Sequence, residues 1–450
     1  MPHHSLTGEY LAAVADGGPS GDEIVDVVRD DVAVSCYRGR PLSRPVFLGR
    51  AEHQQVSDDL ATVYDTITAL PDRLYGGDLA AFARAVGMTA EQAATATRAR
   101  GAAPTRLVRS DMHLDESGFR LMELNVGSTF DGLDNNYLNE ALLKHPFVAD
   151  FVEQHELTYL DSMAEVAHTI VTESKFPSGV RPVMVAITVP DEWEFLEPRL
   201  VKNSERLDPL GIESYGGHLG QLRYADGRVW LGEHPIDIVF RIWLTEHLRD
   251  EKVMALVEPL LAAAERGEVA IFTPMDADIY TSKGALAMLS DESNQHVLTD
   301  AERAAIGRLL PWTRPLRSGP VTVDDEKVDL EQYLLRNREE LILKPMLLWG
   351  GQGVTPGWLT EPAEWQEQVE AAMDGPYLVQ RRIHPFAELF PDGPDRVEPW
   401  TLVWSFLLMS HGAGGMWIRA TPGATSRVVN MTIDAHGTCC FIERRTRHHG

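Results

Sequence analysis

Arg109, Asp111, Glu123 and Asn125 lie in two short runs, Arg109-Ser110-Asp111 and Glu123-Leu124-Asn125, whose residue types and spacing suit metal and phosphate chemistry. Between them Asp115-Glu116-Ser117-Gly118 is a turn signal. A three-residue loop of Glu116, Ser117 and Gly118, with Gly118 left-handed, sets Asp111 opposite Glu123 and Arg109 opposite Asn125. Side chains alternate along a strand, so these four share one face, and Val108, Met112, Met122 and Leu124 take the apolar one. Two opposed carboxylates repel unless a cation lies between them. With an amide oxygen and a guanidinium beside them, the cation that fits is Mg²⁺ carrying a polyphosphate, because Mg²⁺ takes oxygen ligands and keeps phosphates in its shell. The same residues also suit an exposed ribbon of surface ion pairs, which contribute little.

A second set lies downstream. Leu341-Ile342-Leu343-Lys344-Pro345 is an apolar strand carrying a lysine, and Trp349-Gly350-Gly351-Gln352-Gly353-Val354 follows as a loop rich in backbone N–H donors. Such loops can lie over phosphates because glycine lets the backbone approach an anion. This one matches neither the Walker A pattern nor the dinucleotide GxGxxG fingerprint, and an ordinary glycine turn is the other reading. Lys283, in Tyr280-Thr281-Ser282-Lys283-Gly284, follows the strand-like Val269-Ala270-Ile271-Phe272 and heads an apolar helix. It has the reach to meet a phosphate, although a lysine in a first helical turn is commonly solvated.

In this order the segments resemble the circularly permuted ATP-grasp ligases, the group that includes the synthetase domain of glutathionylspermidine synthase, from roughly residue 45 to 435. The family's Arg-x-Asp and Glu-x-Asn strands match Arg109, Asp111, Glu123 and Asn125. Asp237-Ile238-Val239-Phe240-Arg241 resembles the end of its pre-ATP-grasp strand, and Leu310-Pro311-Trp312-Thr313 its Pro-Trp-Thr connection. Lys344 with Gly350, Gly351 and Gly353 matches the nucleotide clamp, Tyr377-Leu378-Val379-Gln380 the strand that contacts adenine, and Thr425-Ser426-Arg427-Val428 the last arginine segment. Two features depart from the family: Gly127-Ser128-Thr129-Phe130-Asp131-Gly132 has its own spelling, and the amidase half of glutathionylspermidine synthase is missing.

The resemblance implies an α/β (α+β) ATP-grasp fold, circularly permuted, with a Rossmann-like pre-ATP-grasp layer. It implies ATP and two Mg²⁺ ions as cofactors, and an ADP-forming joining of a small-molecule carboxylate to an amine through an acyl phosphate. On that basis Asp111, Glu123 and Asn125 hold the metals, Lys283 and Lys344 meet the α and β phosphates, and residues 350 to 353, Gln352 among them, close as a lid. Arg109, and secondarily Arg427, stabilise the transferring phosphoryl group, and Gln380 receives the adenine amino group. A small-molecule kinase would use the same nucleotide parts and release a stable phosphoester. A non-catalytic nucleotide-binding module would also keep the lysines and the glycine loop, although a mere binder gains little from two opposed acids.

Composition bounds the partners. The chain has 450 residues, 44% of them hydrophobic, a length that suggests about three structural units with a sizeable core. A net charge of −26 argues against nucleic acid and anionic membrane as partners, since both repel it. Three cysteines, Cys36 and the adjacent Cys439 and Cys440, make no disulfide framework and offer no clear nucleophile with a histidine partner. No apolar run approaches the ~18 residues of a membrane span, and the start carries no signal-peptide pattern. The expected compartment is the reducing cytoplasm.

The expected organisation is a mostly helical region over 1–105, the metal and phosphate hairpin with helices of the ATP-grasp core over 106–178, the Rossmann-like layer over 179–268, and the nucleotide clamp with the rest of the core over 269–450. Residues 1–50 read as short strand-like runs such as Val32-Ala33-Val34 between breaks, and 58–96 as helical, with Thr89-Ala90-Glu91-Gln92 a capping box. Helices are expected over 135–143 and 147–174, strands over 183–189 and 236–244, and ribbon-like strands over 402–408 and 416–420. The basic tail from Glu443 reads as a frayed terminus.

Overall fold

Alternation of polar and apolar residues decides the central layer of the protein. In the computed structural model, which describes residues 2–29, 40–129, 131–177, 179–392, 396–423 and 434–444, Val108–Asp115 and Gly118–Val126 pair as an antiparallel hairpin. They form one side of a six-stranded antiparallel sheet that continues through Val397–Met409, Gly412–Pro422 and His436–Thr438, with Ala387–Pro391 paired on Val397–Met409. Val108, Met112, Leu114, Leu402, Trp404, Phe406, Leu408, Met416 and Ile418 project to one face. There they bury against Val56, Leu60, Val63 and Ile67 of the long Arg50–Tyr75 helix, so one apolar stripe of that helix covers one face of the sheet. The intervening residues Arg109, Asp111, His113, Val403 and Arg419 are left on the other face, where they line a cleft.

The other wall of the cleft is a four-stranded sheet in the order Thr313–Pro315, Tyr377–Arg381, Leu341–Pro345, Thr355–Pro356. Leu341, Leu343 and Val379 face away from the cleft and bury against Leu330, Leu334, Trp365 and Val369 of two covering helices. Ile342, Lys344 and Gln380 therefore face inward. Beside this pair of sheets stands a parallel sheet of Ala270–Phe272, Ile238–Arg241, Val183–Thr188 and Glu213–His218. Met184, Ala186, Ile238 and Phe240 meet Leu200 and Leu207 of the Trp193–Leu207 helix on one side. Val185, Ile187 and Val239 meet Val257, Leu260 and Leu261 of the Glu251–Glu265 helix on the other. Strands far apart in the chain close on each other, Val46–Leu48 pairing in parallel with Cys440–Glu443. Cys439 and Cys440 are buried free thiols.

The expected capping box forms, Thr89 Oγ1 accepting from Gln92 N and Gln92 Oε1 from Thr89 N at 3.2 and 3.0 Å. Three expectations are corrected. The N-terminal segment is strand-like only in part where it is described: Val46–Leu48 is a strand, but Pro2–Ala15 and Gly21–Arg29 are helices, the second because Ile24 and Val28 fall one turn apart on its buried side. The helix expected over 147–174 is two helices, Pro146–Gln154 and Ser162–Glu173. Glu156 takes a positive φ of 50°, Leu157–Thr158 pairs with the C-terminal strand, and Asp161 caps the second helix through Ala164 N. The hairpin closes differently too: Asp115 pairs with Gly118 across a two-residue loop rather than a three-residue one. Val32–Val34, Cys36, Phe130, Arg427 with its segment and the tail from Arg445 lie outside the described residues. Among the described residues no helix is long and apolar enough to cross a membrane.

Gly132 illustrates how tightly the loop beside the cleft is held. Its φ is +97°, and an added Cβ would stand 2.6 Å from the Trp417 ring. Gly132→Ala is expected to lower the unfolding free energy by about 2 kcal/mol or more, measured by urea denaturation. Gly307→Ala, on a helix with open space around the new methyl, is the control and should leave stability unchanged or slightly raised.

Candidate functional site

The hairpin brings its polar residues together through a bulge. Asp111 lies opposite Glu123 and Arg109 opposite Asn125, as expected, but the register shifts after Asp111, so that Met112 pairs with Leu121 and Met122 is the extra residue. The shift offsets the tighter turn: it restores the pairing that gathers the polar set. It also reverses the expected place of Met122, which lines the cleft, while Leu121 takes its seat in the core.

Asp111 is the most heavily engaged of these groups. Arg109 grips it in a fork, Nε to Oδ1 and Nη2 to Oδ2, both at 3.0 Å. Arg419 Nη2 lies 2.7 Å from Oδ1, Ser405 Oγ donates to the same oxygen at 2.6 Å, and Asn125 Nδ2 approaches Oδ2 at 3.4 Å. Burial pushes the Asp111 carboxyl up, but the charges of Arg109 and Arg419 and the Ser405 hydrogen bond outweigh it and hold the group well below the usual carboxylate range. Glu123 behaves alike: burial is the largest single influence and raises it, but Lys283, whose Nζ lies 3.0 Å away, and Lys344 together draw it down further, and the net shift is downward. Both acids are therefore anions at neutral pH.

Lys283 is not the solvated residue its helical position suggests. It is buried, and its Nζ also donates to Leu348 O at 3.0 Å, at the head of the glycine loop. Lys344 Nζ donates to Gln380 Oε1 at 2.7 Å and to Met122 O at 3.2 Å. Burial, with a smaller effect of the Lys283 charge and against the pull of Glu123, brings the Lys344 amine down to about 8. His113, its Nδ1 2.7 Å from Leu402 O, is pushed down to about 4, chiefly by burial, and is neutral at pH 7. Across the roof, Gly350, Gly351 and Gly353 have φ of 58°, 79° and 67°, a conformation that side chains with a Cβ adopt only at a cost.

The resulting cleft has about 1060 Å³ of space, counted out into open solvent. It gathers Arg109, Asp111, Glu123, Asn125, Lys283, Lys344, Gly350, Gly351 and Gln380. Gln352 and Gly353 shape the loop but do not line the cleft, and Arg427 lies outside the described residues. Gln380 has protein partners: its Oε1 takes the Lys344 ammonium, and its Nε2 reaches Thr313 Oγ1 at 3.2 Å and Leu121 O at 3.4 Å. That amide holds a lysine in place.

Sequence reasoning overlooked Arg419, Ser405, His113 and the Arg381-Arg382 rim. The signal was a polar residue at alternate places in an apolar ribbon, Ile418-Arg419-Ala420 and Trp404-Ser405-Phe406. Trp417 flanks the cleft, its ring 4.9 Å from the Arg109 guanidinium and 4.3 Å from that of Arg419. The described residues lining the cleft include six Lys or Arg side chains, Arg109, Lys283, Lys344, Arg381, Arg382 and Arg419, against the two acids Asp111 and Glu123. In a chain of net charge −26, this is a local concentration of positive charge suited to a polyanion. Asp111, Glu123 and Asn125 present hard oxygen donors of the kind Mg²⁺ takes, although among the described residues no group of three or more His, Cys, Asp or Glu is placed to hold a metal by itself.

Comparison with solved structures shows that the fold is shared. A glutathione synthetase-like effector from Globodera pallida, in apoform, superposes with a TM-score of 0.55 at 12% identity, covering 89% of this chain and 90% of that one. D-cycloserine synthetase DcsG and D-alanyl-alanine synthetase A from Vibrio cholerae align over 52% of this chain and 90% and 87% of theirs, at 14% and 9% identity. Both have TM-scores of 0.25, too loose to inform the site. Comparison with protein-family models and with curated proteins finds no match.

Lys344 makes anion binding pH-dependent in a defined direction. In the free protein it loses its charge as pH rises through about 8, and a bound polyanion would hold the proton on to higher pH. Affinity for inorganic tripolyphosphate, measured by calorimetry at constant ionic strength, should fall between pH 8 and 10, and Lys344→Gln should remove most of that fall. An affinity that stays level across this window in the wild-type protein would contradict the assignment.

Proposed function

We propose that this protein is an ATP-dependent carboxylate–amine ligase on a circularly permuted ATP-grasp fold, with the parallel sheet as its Rossmann-like pre-ATP-grasp layer. The observation that carries the reading is the cleft itself, two sheets closing on an excess of buried cations around two ionised carboxylates. The fold likeness to a glutathione synthetase-like effector supports it.

The chemistry follows from what a carboxylate lacks. Its negative charge repels a nucleophile and its oxygen is a poor leaving group, so an amine does not add to it at neutral pH. Transfer of the γ-phosphoryl group of ATP to a carboxylate oxygen breaks the β–γ P–O bond, releases ADP and makes an acyl phosphate. The amine, having lost a proton, attacks the acyl carbon; the C–N bond forms, the C–O bond to phosphate breaks, and inorganic phosphate leaves with the electron pair. A second proton leaves the nitrogen to give the amide.

Positioning and charge neutralisation are the protein's main tasks in such a transfer. Lys283 and Lys344 bind the nucleotide phosphates, and Gln380 together with the Met122 carbonyl fixes where the Lys344 ammonium sits. The loop carrying Gly350 and Gly351 excludes water, with Lys283 tied to its start through Leu348. Arg109 and Arg419, on one sheet face with the strand Val397–Met409 between theirs, hold the transferring phosphoryl group and then the acyl phosphate. Asp111, Glu123 and Asn125 are the residues that would hold Mg²⁺, which when bound neutralises phosphate charge. Incoming phosphates would draw Arg109, Arg419 and Lys283 toward themselves and leave the two carboxylates for the metal.

With ATP, Mg²⁺ and its carboxylate, the enzyme should form an acyl phosphate that hydroxylamine intercepts as a hydroxamate, one ADP being released per bond. A hydroxylamine-resistant phosphorylated product would make the protein a kinase, and tight ATP binding without turnover on any acid would make it a binding module. Arg419→Ala should lower turnover about 100-fold or more while changing ATP affinity far less. Asp111→Asn should abolish ADP formation, with folding checked by circular dichroism, and an Asp111→Asn protein active in limiting Mg²⁺ would remove the metal assignment.

A further inference from the structure

The cations of the cleft are gathered toward one end, and the chemistry of the other end is different. Arg109 and His113 share the inward face of one strand, four residues and about 13 Å apart, with Asp111 between them. Lys283 meets Glu123 across from Asp111, and Lys344 meets the Met122 carbonyl, so the phosphate-binding groups run from Arg109 to Lys344. Toward His113 the lining turns apolar. Ile342, one inward position before Lys344, faces the cleft from one sheet and Val403 from the other, with Met122 and Ile383 beside them. The chain past Ile383 lies against the end of this slot, Phe386 N donating at 2.8 Å to the carbonyl of Leu114, the residue after His113. Arg381 and Arg382 at the rim are turned to Asp324 and to the Trp358 ring. Apolar side chains from two facing sheets suit a flat heterocycle.

We propose that His113 selects the nucleobase, its Nε2 accepting a hydrogen bond from the 6-amino group of adenine, so that the protein takes ATP and rejects 6-oxo purine nucleotides; this rests on the ATP-dependent reading above. The tautomer carries the argument. His113 Nδ1 lies 2.7 Å from Leu402 O, and a carbonyl oxygen only accepts, so the ring hydrogen sits on Nδ1 and Nε2 keeps a lone pair. Burial keeps a second proton off at neutral pH, helped by the Lys344 and Arg419 charges and opposed by the Leu402 carbonyl and Asp111. Among the described residues no protein group takes the Nε2 lone pair, while the residue lines the cleft. Nε2 is therefore an acceptor and never a donor to a ligand there. An amino group satisfies it, whereas an oxo group in the same place sets two acceptors against each other.

Two other contacts compete with this one. Gln380 also offers the cleft an amide oxygen, but the Lys344 ammonium already draws on it at 2.7 Å. A ribose hydroxyl could donate to Nε2 in place of the base, yet ATP and ITP carry the same ribose, so that contact would not tell them apart.

The test is displacement of a ribose-labelled fluorescent ATP from the full chain, with Mg²⁺ at pH 7, by ATP, purine riboside triphosphate and ITP, which differ only in bearing an amino group, nothing or an oxo group. ATP should bind roughly tenfold or more tightly than ITP, with purine riboside triphosphate between them. His113→Asn keeps an N–H within reach of the Leu402 carbonyl and removes the acceptor from the cleft, so it should bring the three nucleotides to within about threefold of one another. Equal binding of ATP and ITP by the wild-type protein would overturn the proposal, and so would discrimination that survives in His113→Asn, which would pass the role to Gln380. Should that variant not fold, the nucleotide series on the wild-type protein decides. Selective ATP binding without ADP release on any acid would uphold His113 and remove the ligase. Release of nucleoside diphosphate from ITP as readily as from ATP, with an acid and an amine, would uphold the ligase and remove His113 from base selection.

Discussion

One buried carboxylate organises the site. Asp111 lies on the floor of the cleft with two guanidinium groups and a hydroxyl turned on it, and those partners come from three strands that meet only in the folded sheet. Removing one member of a buried ionic set typically costs several kcal/mol because it strands a charge away from water, so Arg109, Arg419 and Ser405 hold one another's geometry through Asp111. The same anion keeps two like-charged arginines close together. Without it, their mutual repulsion would drive the guanidinium groups apart and disperse the cationic surface the cleft presents.

That surface stands against the character of the whole molecule. A chain with net charge −26 repels polyanions at long range, yet the cleft offers them six basic side chains against two acids. Screening over about 8 Å at physiological salt confines the repulsion to the exterior. Within the cleft, the interactions of Lys283 and Lys344 operate at short range in a site largely removed from water, where they are strongest. The burial that drops the Lys344 amine to about 8 also leaves it with protein oxygens as its partners, and an arriving phosphate would complete that set.

Positioning depends on backbone irregularities as much as on charge. The bulge at Met122 lets one hairpin combine a two-residue turn with Asp111 opposite Glu123, and it delivers the Met122 carbonyl to Lys344. Trp417 ties the central sheet to the loop beside the cleft, its ring packed on Gly132 and near both Arg109 and Arg419.

The local patterns were readable in the sequence, because they depend on residues close together along the chain. Turn residues at Asp115–Gly118 with polar residues at alternate positions were enough to pair Asp111 with Glu123 and Arg109 with Asn125, and an apolar run was enough to place Lys344 on a strand. The capping box at Thr89 was readable for the same reason. What the sequence left open depends on neighbours far along the chain. The loop length and the bulge compensate each other, so side-chain alternation predicted the pairing of the acids and still misplaced Met122. Lys283 reads as a surface residue until Glu123 and the Leu348 carbonyl are brought to it. That the Gln380 oxygen holds Lys344 is visible only once the two strands lie side by side. Arg419 reads as one charge in an apolar ribbon, and only sheet pairing sets it over Asp111, more than three hundred residues away in the chain, because a β-sheet joins strands by hydrogen bonds that carry no record of sequence distance.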